Sequence, residues 1–386
     1  MHAIIHPAAS AEGTLKAMAL EARFEVATDG EAAGFPTASV PKLFMSNDCR
    51  FNCAYCTCRA TRDMGRYCHE PRALARLAAQ AGRANGRGVF VTSAVYRSPD
   101  ETQERIVAAL RALREELGYR GYVHAKVMPG ADPGLIALTG RYADRMSVNI
   151  EVANSAGYAR LARQKSRGTI LGPMEAIHRQ IVAARAERRP FAASQSTQLM
   201  AGSLGEDDRA ILTLSGALYR RYALKRVYYT AFQYRHRAAG YDLPEVSTPA
   251  WRVGRLYQAD RLMQLYGFTA DELAPEGAPN LDPALDPKTA WALRHPERFP
   301  VEVNRADYET LLRVPGVGPT WARRILRARR LAPLSWAGLR ALGLPLGRCR
   351  YFLCCGGRGD GLGLLDRPDL LALRLGAGFQ QTLELP

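Results

Sequence analysis

The run Cys49-Arg-Phe-Asn-Cys53-Ala-Tyr-Cys56 places three thiols within eight residues, in the spacing CxxxCxxC. Thiolates this close along a chain can converge on one soft metal centre without help from distant segments. A structural zinc site ordinarily takes four protein ligands, whereas three regularly spaced ligands leave one position open for a cofactor or substrate. On spacing alone Cys58 or Cys68 could complete a zinc tetrad; otherwise Cys58 is a bystander or a thiol in a reaction chamber, and Cys68-His69 an ordinary loop pair. The other three cysteines, Cys349, Cys354 and Cys355, crowd near the end of the chain. A chain of this size needs no disulfide framework, so clustered thiols point to metal or redox chemistry. Three late cysteines without a fourth are expected as buried or reactive thiols, not as ligands of a second cluster.

A second pattern, ADYETLLRVPGVGPTWARRILRAR over 306–329, predicts a helix ending near Val314, a tight Pro315-Gly-Val-Gly318 turn, and a helix opening at Pro319. Gly316 and Gly318 permit the turn and leave backbone N–H groups bare. Those donors and the positive start of the second helix suit a phosphate, with Arg313, Arg323 and Arg324 placed to meet its neighbours. The pattern resembles the helix-hairpin-helix of DNA repair proteins. Its contacts would be to backbone, so it reports nucleic acid and not sequence; such hairpins also serve as protein docking units.

Both patterns need a scaffold. Short β-branched runs at 41–46, 88–94, 121–128, 144–152, 190–199 and 225–232 alternate with amphipathic segments near 70–84, 101–117, 132–141, 157–163, 173–188 and 206–222. Six strand–helix repeats predict an α/β fold with a parallel sheet, a partial TIM-like (β/α)6 barrel over 41–240. Polar residues fall late in these runs, at Ser93, Lys126, Asn149, Glu151, Gln195–Gln198 and Thr230, where a barrel gathers its catalytic rim. The cysteine run follows the first strand. Residues 1–40 show no period and read as a leader or cap. Residues 241–300 hold eight of the 23 prolines and read as an ordered connector. The segment 301–358, with eleven arginines, reads as a small basic all-α module, and 359–386 as a flexible tail.

The 386 residues are 47% hydrophobic and 23% charged, which excludes a disordered or collagen-like chain. The net charge of +16 favours a polyanionic partner, nucleic acid before membrane, although only six of 53 basic residues are lysines and base composition of the genome could favour arginine. No stretch approaches eighteen apolar residues, so no membrane span is expected. The first twenty residues lack the features of a secretory signal, so a cytoplasmic location is expected.

The cysteine spacing, Tyr55 before the third cysteine and the repeating strands together resemble the radical SAM superfamily. The resemblance implies a [4Fe-4S] cluster held by Cys49, Cys53 and Cys56, with S-adenosylmethionine chelating the fourth iron. It implies reductive cleavage of the S–C5′ bond to a 5′-deoxyadenosyl radical, an electron donor such as flavodoxin or ferredoxin, and Tyr55 packed on adenine. Val91-Thr92-Ser93-Ala94 stands where most members carry Gly-Gly-Glu, so a hydroxyl such as Ser93 or a backbone carbonyl would meet the methionyl amine. Lys126 and Arg145-Met-Ser147-Val-Asn149 resemble spore photoproduct lyase-like members. There Lys126 would neutralise the carboxylate, and Ser147 and Asn149 would bond ribose or methionine. An ion pair of Lys126 with Glu151 is the alternative of equal weight.

From 41 to 355 the order of motifs resembles an uncharacterised group described as DNA modification or repair radical SAM proteins, often encoded beside a uracil-DNA glycosylase-like protein. It includes SVNIE at 147–151, QSTQ at 195–198, LKRVYY at 224–229, RLYQAD at 255–260 and WALRHPE at 291–297. Many relatives carry further cysteines upstream of the triad, and this chain has none before Cys49. The resemblance implies an enzyme acting on nucleic acid, DNA first, with the glycosylase-like protein as a partner. The alternatives are a nucleic-acid-binding scaffold with a structural Fe–S or Zn site that recruits a glycosylase, or a tRNA-modifying radical SAM enzyme.

Overall fold

The computed structural model describes residues 40–234, 237–359 and 361–383. The expected leader lies, except for its last residue, outside them. The chain divides into two compact units, one running up to Glu206 and including Ala217–Val253, the other made of Asp207–Gly216 and Gly254 onward.

The first unit is built on six parallel strands, β1 (Lys42–Phe44), β2 (Val89–Thr92), β3 (Val123–Lys126), β4 (Arg145–Ser147), β5 (Ser194–Ala201) and β6 (Arg226–Ala231), paired in sequence order. Helices α1 (Pro71–Asn85), α2 (Pro99–Arg111), α3 (Pro133–Tyr142), α4 (Ala156–Leu161) and α5 (Arg167–Ala186) alternate with them, and α6 (Asp208–Tyr222), between β5 and β6 in the chain, has its residues up to Gly216 in the second unit and the rest in the first. Helix starts follow local chemistry. Pro99 and Pro133 open α2 and α3 behind Ser98 and Asp132, whose side chains accept first-turn N–H bonds. Ser166 and Thr169 form a reciprocal cap on α5, which begins six residues before the predicted 173–188.

Six flat strands about 4.8 Å apart would span roughly 24 Å. Yet Phe44, Ser93, Lys126, Asn149, Gln198 and Thr230, one from each strand or the residues just past it, line one cavity. The sheet therefore curls into the partial barrel that the repeats predict, and β1 and β6 remain its two edges. Its core is apolar, with Val89, Val91, Val123, Ala125, Met146, Leu199 and Val227 at most 1% exposed.

The second unit departs from one expectation. The stretch 241–300 is divided between the units, residues up to Val253 in the first and those from Gly254 in the second. It contributes α7 (Ala250–Tyr266), α8 (Ala270–Leu273) and α9 (Pro287–Arg294), and Trp291 on α9 is fully buried among Phe268, His295 and Phe299. The C-terminal module is not all-α. After α10 (Tyr308–Arg313), α11 (Pro319–Ala328), α12 (Trp336–Ala341) and α13 (Leu346–Cys349), strand β8 (Leu353–Cys355) pairs in parallel with β7 (Val301–Glu302) and antiparallel with β9 (Arg358–Gly359). Burial of Phe352 and Leu353 takes that backbone out of water, and the ladder satisfies it. Past residue 359 the chain carries α14 (Pro368–Leu383), on which Leu371 is fully buried. No described helix is long and apolar enough to cross a membrane.

Lys288 on α9 is 6% exposed and donates to the Val317 carbonyl at 2.6 Å, inside the Pro315–Gly318 turn. Burial pulls its ammonium down to about 7, against the opposing pull of Asp286. A folded-state value below the ordinary one of about 10.4 means that the unfolded chain binds more protons between pH ~7 and ~10. Stability should therefore rise with pH across that window, with an upper limit on the order of 4 kcal/mol from this one group. Lys288→Met should flatten the rise. Urea titrations at the two ends of the window check this, and an equal rise in the variant would exclude Lys288 as its source.

Candidate functional site

The loop after β1 is built by backbone bonds that leave its thiols facing inward. Arg50 N–H donates to Val95 O at 2.8 Å, Ala54 N–H to Leu161 O at 2.8 Å, and Cys56 N–H to Cys53 O at 3.0 Å. Asn47, fully buried, accepts from Tyr67 N–H at 2.8 Å and donates to Gly65 O at 2.9 Å, closing the loop at its base. Arg66 donates to the carbonyls of Asn47, Cys58, Arg59 and Arg62 at 2.7–2.9 Å. One guanidinium fork thus fixes four carbonyls behind the cysteines, work that a lysine could not do.

Cys49, Cys53 and Cys56 line one cavity of about 1100 Å³, part of it open solvent, together with Tyr55, Ser93, Lys126 and Asn149. The loop and the barrel rim thus meet where the sequence predicts. All eight cysteines are free thiols. Burial, with Cys56 beside it, raises the Cys49 thiol; burial pushes Cys53 up to about 12. Among the described residues no three cysteine, histidine or carboxylate side chains gather around the position of one ion. A zinc tetrad needs four ligands within about 2.3 Å of one point, and would have to recruit Cys58 or Cys68 beside the triad. Cys68 lies in a β-bridge with Ser46 and is absent from the cavity wall, whereas Cys58 lines it. An iron–sulfur cubane, wider than a single ion, holds its thiolates further apart, and three inward thiols on a braced loop fit such a group.

The rim departs from two expectations. Lys126 bonds the Asn149 side-chain oxygen, not Glu151. Glu151 is instead paired with Lys165 at 2.8 Å, at side-chain exposures of 6% and 10%. Lys165 also donates to the Tyr55 hydroxyl at 3.3 Å. Burial alone would pull the Lys165 ammonium down, but Glu151 and the Cys53 and Cys56 thiols outweigh it and hold it above its usual range. Burial, then Glu151, pushes the Tyr55 phenol up. Glu151 adopts a left-handed backbone, φ 64°, while its N–H bonds Gln198 O and its carbonyl accepts from Met200 N–H. Such a conformation costs ~1–3 kcal/mol in a residue with a Cβ, and here it is clamped by β5. Lys165 belongs to no motif in the sequence. A signal was present: in a chain with six lysines, two line this cavity.

Ser147 is the second departure. It is 4% exposed, meets His124 Nε2 at 2.8 Å, and does not line the cavity. It ends β4, with Asn149 two residues past it, and His124 occupies it. Ser93 keeps its place on the wall, with its hydroxyl 3.5 Å from Ser46 O.

In the second unit, α10 and α11 form the predicted hairpin around buried Leu311, Leu312, Val314, Val317, Ala322 and Ile325. Gly316 has φ 84°, which favours glycine, and a Cβ on Gly318 would stand 3.0 Å from the Tyr266 hydroxyl, a tight contact that the tyrosine would have to relieve. Gly318 caps α11 without a side-chain bond, and among the described residues the Gly316 and Gly318 N–H groups have no acceptor. Arg323 and Arg324 are exposed and without an ion pair among the described residues, resting over Tyr308 and Trp321. Arg313 is different. It pairs with Glu272 at 2.7 Å, donates to Gly267 O at 3.1 Å and lies 3.9 Å from the Phe268 ring centroid. These bonds hold α10 in place and engage within the fold the guanidinium that the sequence offers as a phosphate contact. Cys349, Cys354 and Cys355 are buried around this module, Cys349 bonded to Pro345 O and Cys354 to Glu302.

No family model and no curated protein matches the chain. Among solved structures it is similar to the FeFe-hydrogenase maturase HydG from Carboxydothermus hydrogenoformans, with TM-score 0.45 and 15% identity over 66% of this chain and 60% of that one. A second HydG structure, a maturase of the [FeFe]-hydrogenase, gives TM-score 0.44 and 14% identity over 58% and 49%. Methylornithine synthase PylB gives TM-score 0.41 and 15% identity over 66% and 73%. The match thus spans about half to three-fifths of the two maturases.

Proposed function

We propose that the chain is a radical SAM enzyme acting on nucleic acid, DNA first, in modification or repair. The observation that carries this reading is one cavity at the C-terminal rim of a parallel partial barrel, lined by all three cysteines of a CxxxCxxC loop and by Tyr55, Ser93, Lys126 and Asn149. Cys49, Cys53 and Cys56 would hold a [4Fe-4S] cluster, leaving one iron for S-adenosylmethionine. When bound, the two groups supply one-electron reductive cleavage of a sulfonium S–C bond and hydrogen-atom abstraction, with the electron from a flavodoxin- or ferredoxin-class donor.

The chain's own residues bind and orient. Tyr55 offers a ring beside the cysteines, held by Lys165. Lys126 brings a positive charge to the wall and Asn149 an amide, mutually fixed. Ser93 offers a hydroxyl where an acidic residue would otherwise meet an amine. Phe44, Val95, Val127, Met128 and Met200 keep the interior apolar, which excludes water from a reactive centre. Reductive formation of 5′-deoxyadenosine by the reconstituted protein tests the reading, since a nucleic-acid-binding scaffold would form none.

The hairpin would hold the phosphodiester backbone through the Gly316 and Gly318 N–H groups, with Arg323 and Arg324 adding charge. Duplex affinity should fall with salt at a log–log slope of about −2 to −3, for two or three phosphates neutralised. Arg323→Ala with Arg324→Ala should make that slope shallower by about 1 per arginine. Fluorescence anisotropy across a salt series measures it. An unchanged slope and affinity would leave a protein partner as the hairpin's ligand.

A further inference from the structure

The cavity wall is divided by charge. Its ionic groups, Lys126, Glu151 and Lys165, stand with the cysteines on the side of β3, β4 and the loops after β1 and α4. The side formed by β5 and β6 presents Gln198, Met200, Thr230, Ala231 and Gln233, with no charge among them. Gln198 and Gln233 differ from the other polar residues of the cavity. Asn149 is engaged by Lys126, Tyr55 and Glu151 by Lys165, and Ser93 by Ser46. Neither glutamine amide has a hydrogen-bond partner among the described residues, and both are half-buried. Gln198 is nevertheless fixed at its root, since its carbonyl accepts from Glu151 N–H at 2.9 Å and β6 pairs with it at Tyr228.

We propose that Gln198 and Gln233 form a recognition wall for a single nucleobase taken out of the nucleic-acid stack. The proposal rests on the function proposed above and names the group that this site receives. A primary amide presents a donor and an acceptor side by side. Every nucleobase edge offers such a pair in return, and amide side chains pair with bases in this bidentate way. A phosphate would instead call for cations, and among the described residues the β5–β6 wall presents none. Met128 and Met200 supply apolar, polarizable contacts for a planar ring. A base inside a duplex is out of reach of such a cavity, so it must leave the helix, as for other enzymes that act on bases.

The test uses the reconstituted full-length protein and a set of duplexes that carry one unpaired base, each of the four in turn, opposite an abasic site. A duplex with abasic sites on both strands at that position is the reference, and fluorescence anisotropy is the readout. With wild type, at least one unpaired base should bind about tenfold tighter than the doubly abasic duplex, the order supplied by one amide–base pair. In Gln198→Met and in Gln233→Met that gain should fall below about threefold. Two separately placed variants guard against a folding defect in either, because Gln233 lies beyond the end of β6. If no base improves on the doubly abasic duplex, or both variants keep the full gain, the inference is overturned. A wild-type protein that gains from a base but forms no 5′-deoxyadenosine would uphold the recognition wall and reject the radical chemistry. Formation of 5′-deoxyadenosine without any gain from a base would do the reverse.

Discussion

Replacing Cys53 by alanine should leave the protein without its cluster: iron should fall from about four per chain to near zero after anaerobic reconstitution, and SAM cleavage should stop. Cys53 is the most deeply placed of the three thiols, 5% exposed, beside the buried Lys165. Burial holds its proton up to a value of about 12 in the metal-free chain. A metal ligand must shed that proton, and a bound cation is what makes this favourable. Two remaining thiolates cannot hold three irons of a cubane. Cys68→Ala should keep its iron, because that thiol sits in the bridge to Ser46 and not on the cavity wall. Iron and sulfide analysis with the visible absorption spectrum checks both variants. A Cys53→Ala protein with full iron, or a wild-type protein that takes only zinc, would contradict the assignment.

Lys165→Met should destabilise the fold by about 3–5 kcal/mol, the cost of leaving one member of a buried ion pair uncompensated. The remaining Glu151 carboxylate would stand at 6% exposure against an apolar cavity, held in a left-handed backbone that strand β5 does not release. Glu151→Gln should be costly by the same logic, with Lys165 left facing only the Tyr55 hydroxyl and the thiols. The double variant should lose less than the sum of the two, since neither charge is then orphaned. Chemical denaturation of the four proteins gives the coupling directly. Losses within about 0.5 kcal/mol for both single variants would mean that the pair is solvated and has no structural role. Lys165→Met should also broaden the environment of Tyr55, whose hydroxyl it anchors, and so weaken SAM binding measured by calorimetry.

The barrel was legible because each of its signals is local. Six β-branched runs separated by amphipathic segments give strand count and parallel pairing without any knowledge of contacts, and the observed strands fall inside all but one of the predicted runs, β5 running two residues past its end. The cysteine loop and the Pro315–Gly318 turn were legible for the same reason, since spacing and glycine carry them. What failed were pairings across the fold. Lys126 and Glu151 both belong to the rim, but a salt bridge needs a partner within about 4 Å, and the bridging lysine comes from the loop after α4. Ser147 ends β4 and Asn149 lies two residues past it, and periodicity alone cannot say that His124 occupies Ser147. Arg313 lies in a basic segment and reads as a phosphate contact until Glu272 and Phe268, some forty residues upstream, are seen around it. The small sheet of the second unit was hidden because β7 and β8 lie about fifty residues apart and span only two and three residues.

The central claim is tested most directly by one assay. The protein is reconstituted anaerobically with iron and sulfide, given dithionite and S-adenosylmethionine, and the products are separated by liquid chromatography with mass detection. The wild type should give 5′-deoxyadenosine and methionine in equal amounts, and Cys53→Ala none. An iron-loaded wild-type protein that leaves S-adenosylmethionine intact, with and without DNA, would contradict it.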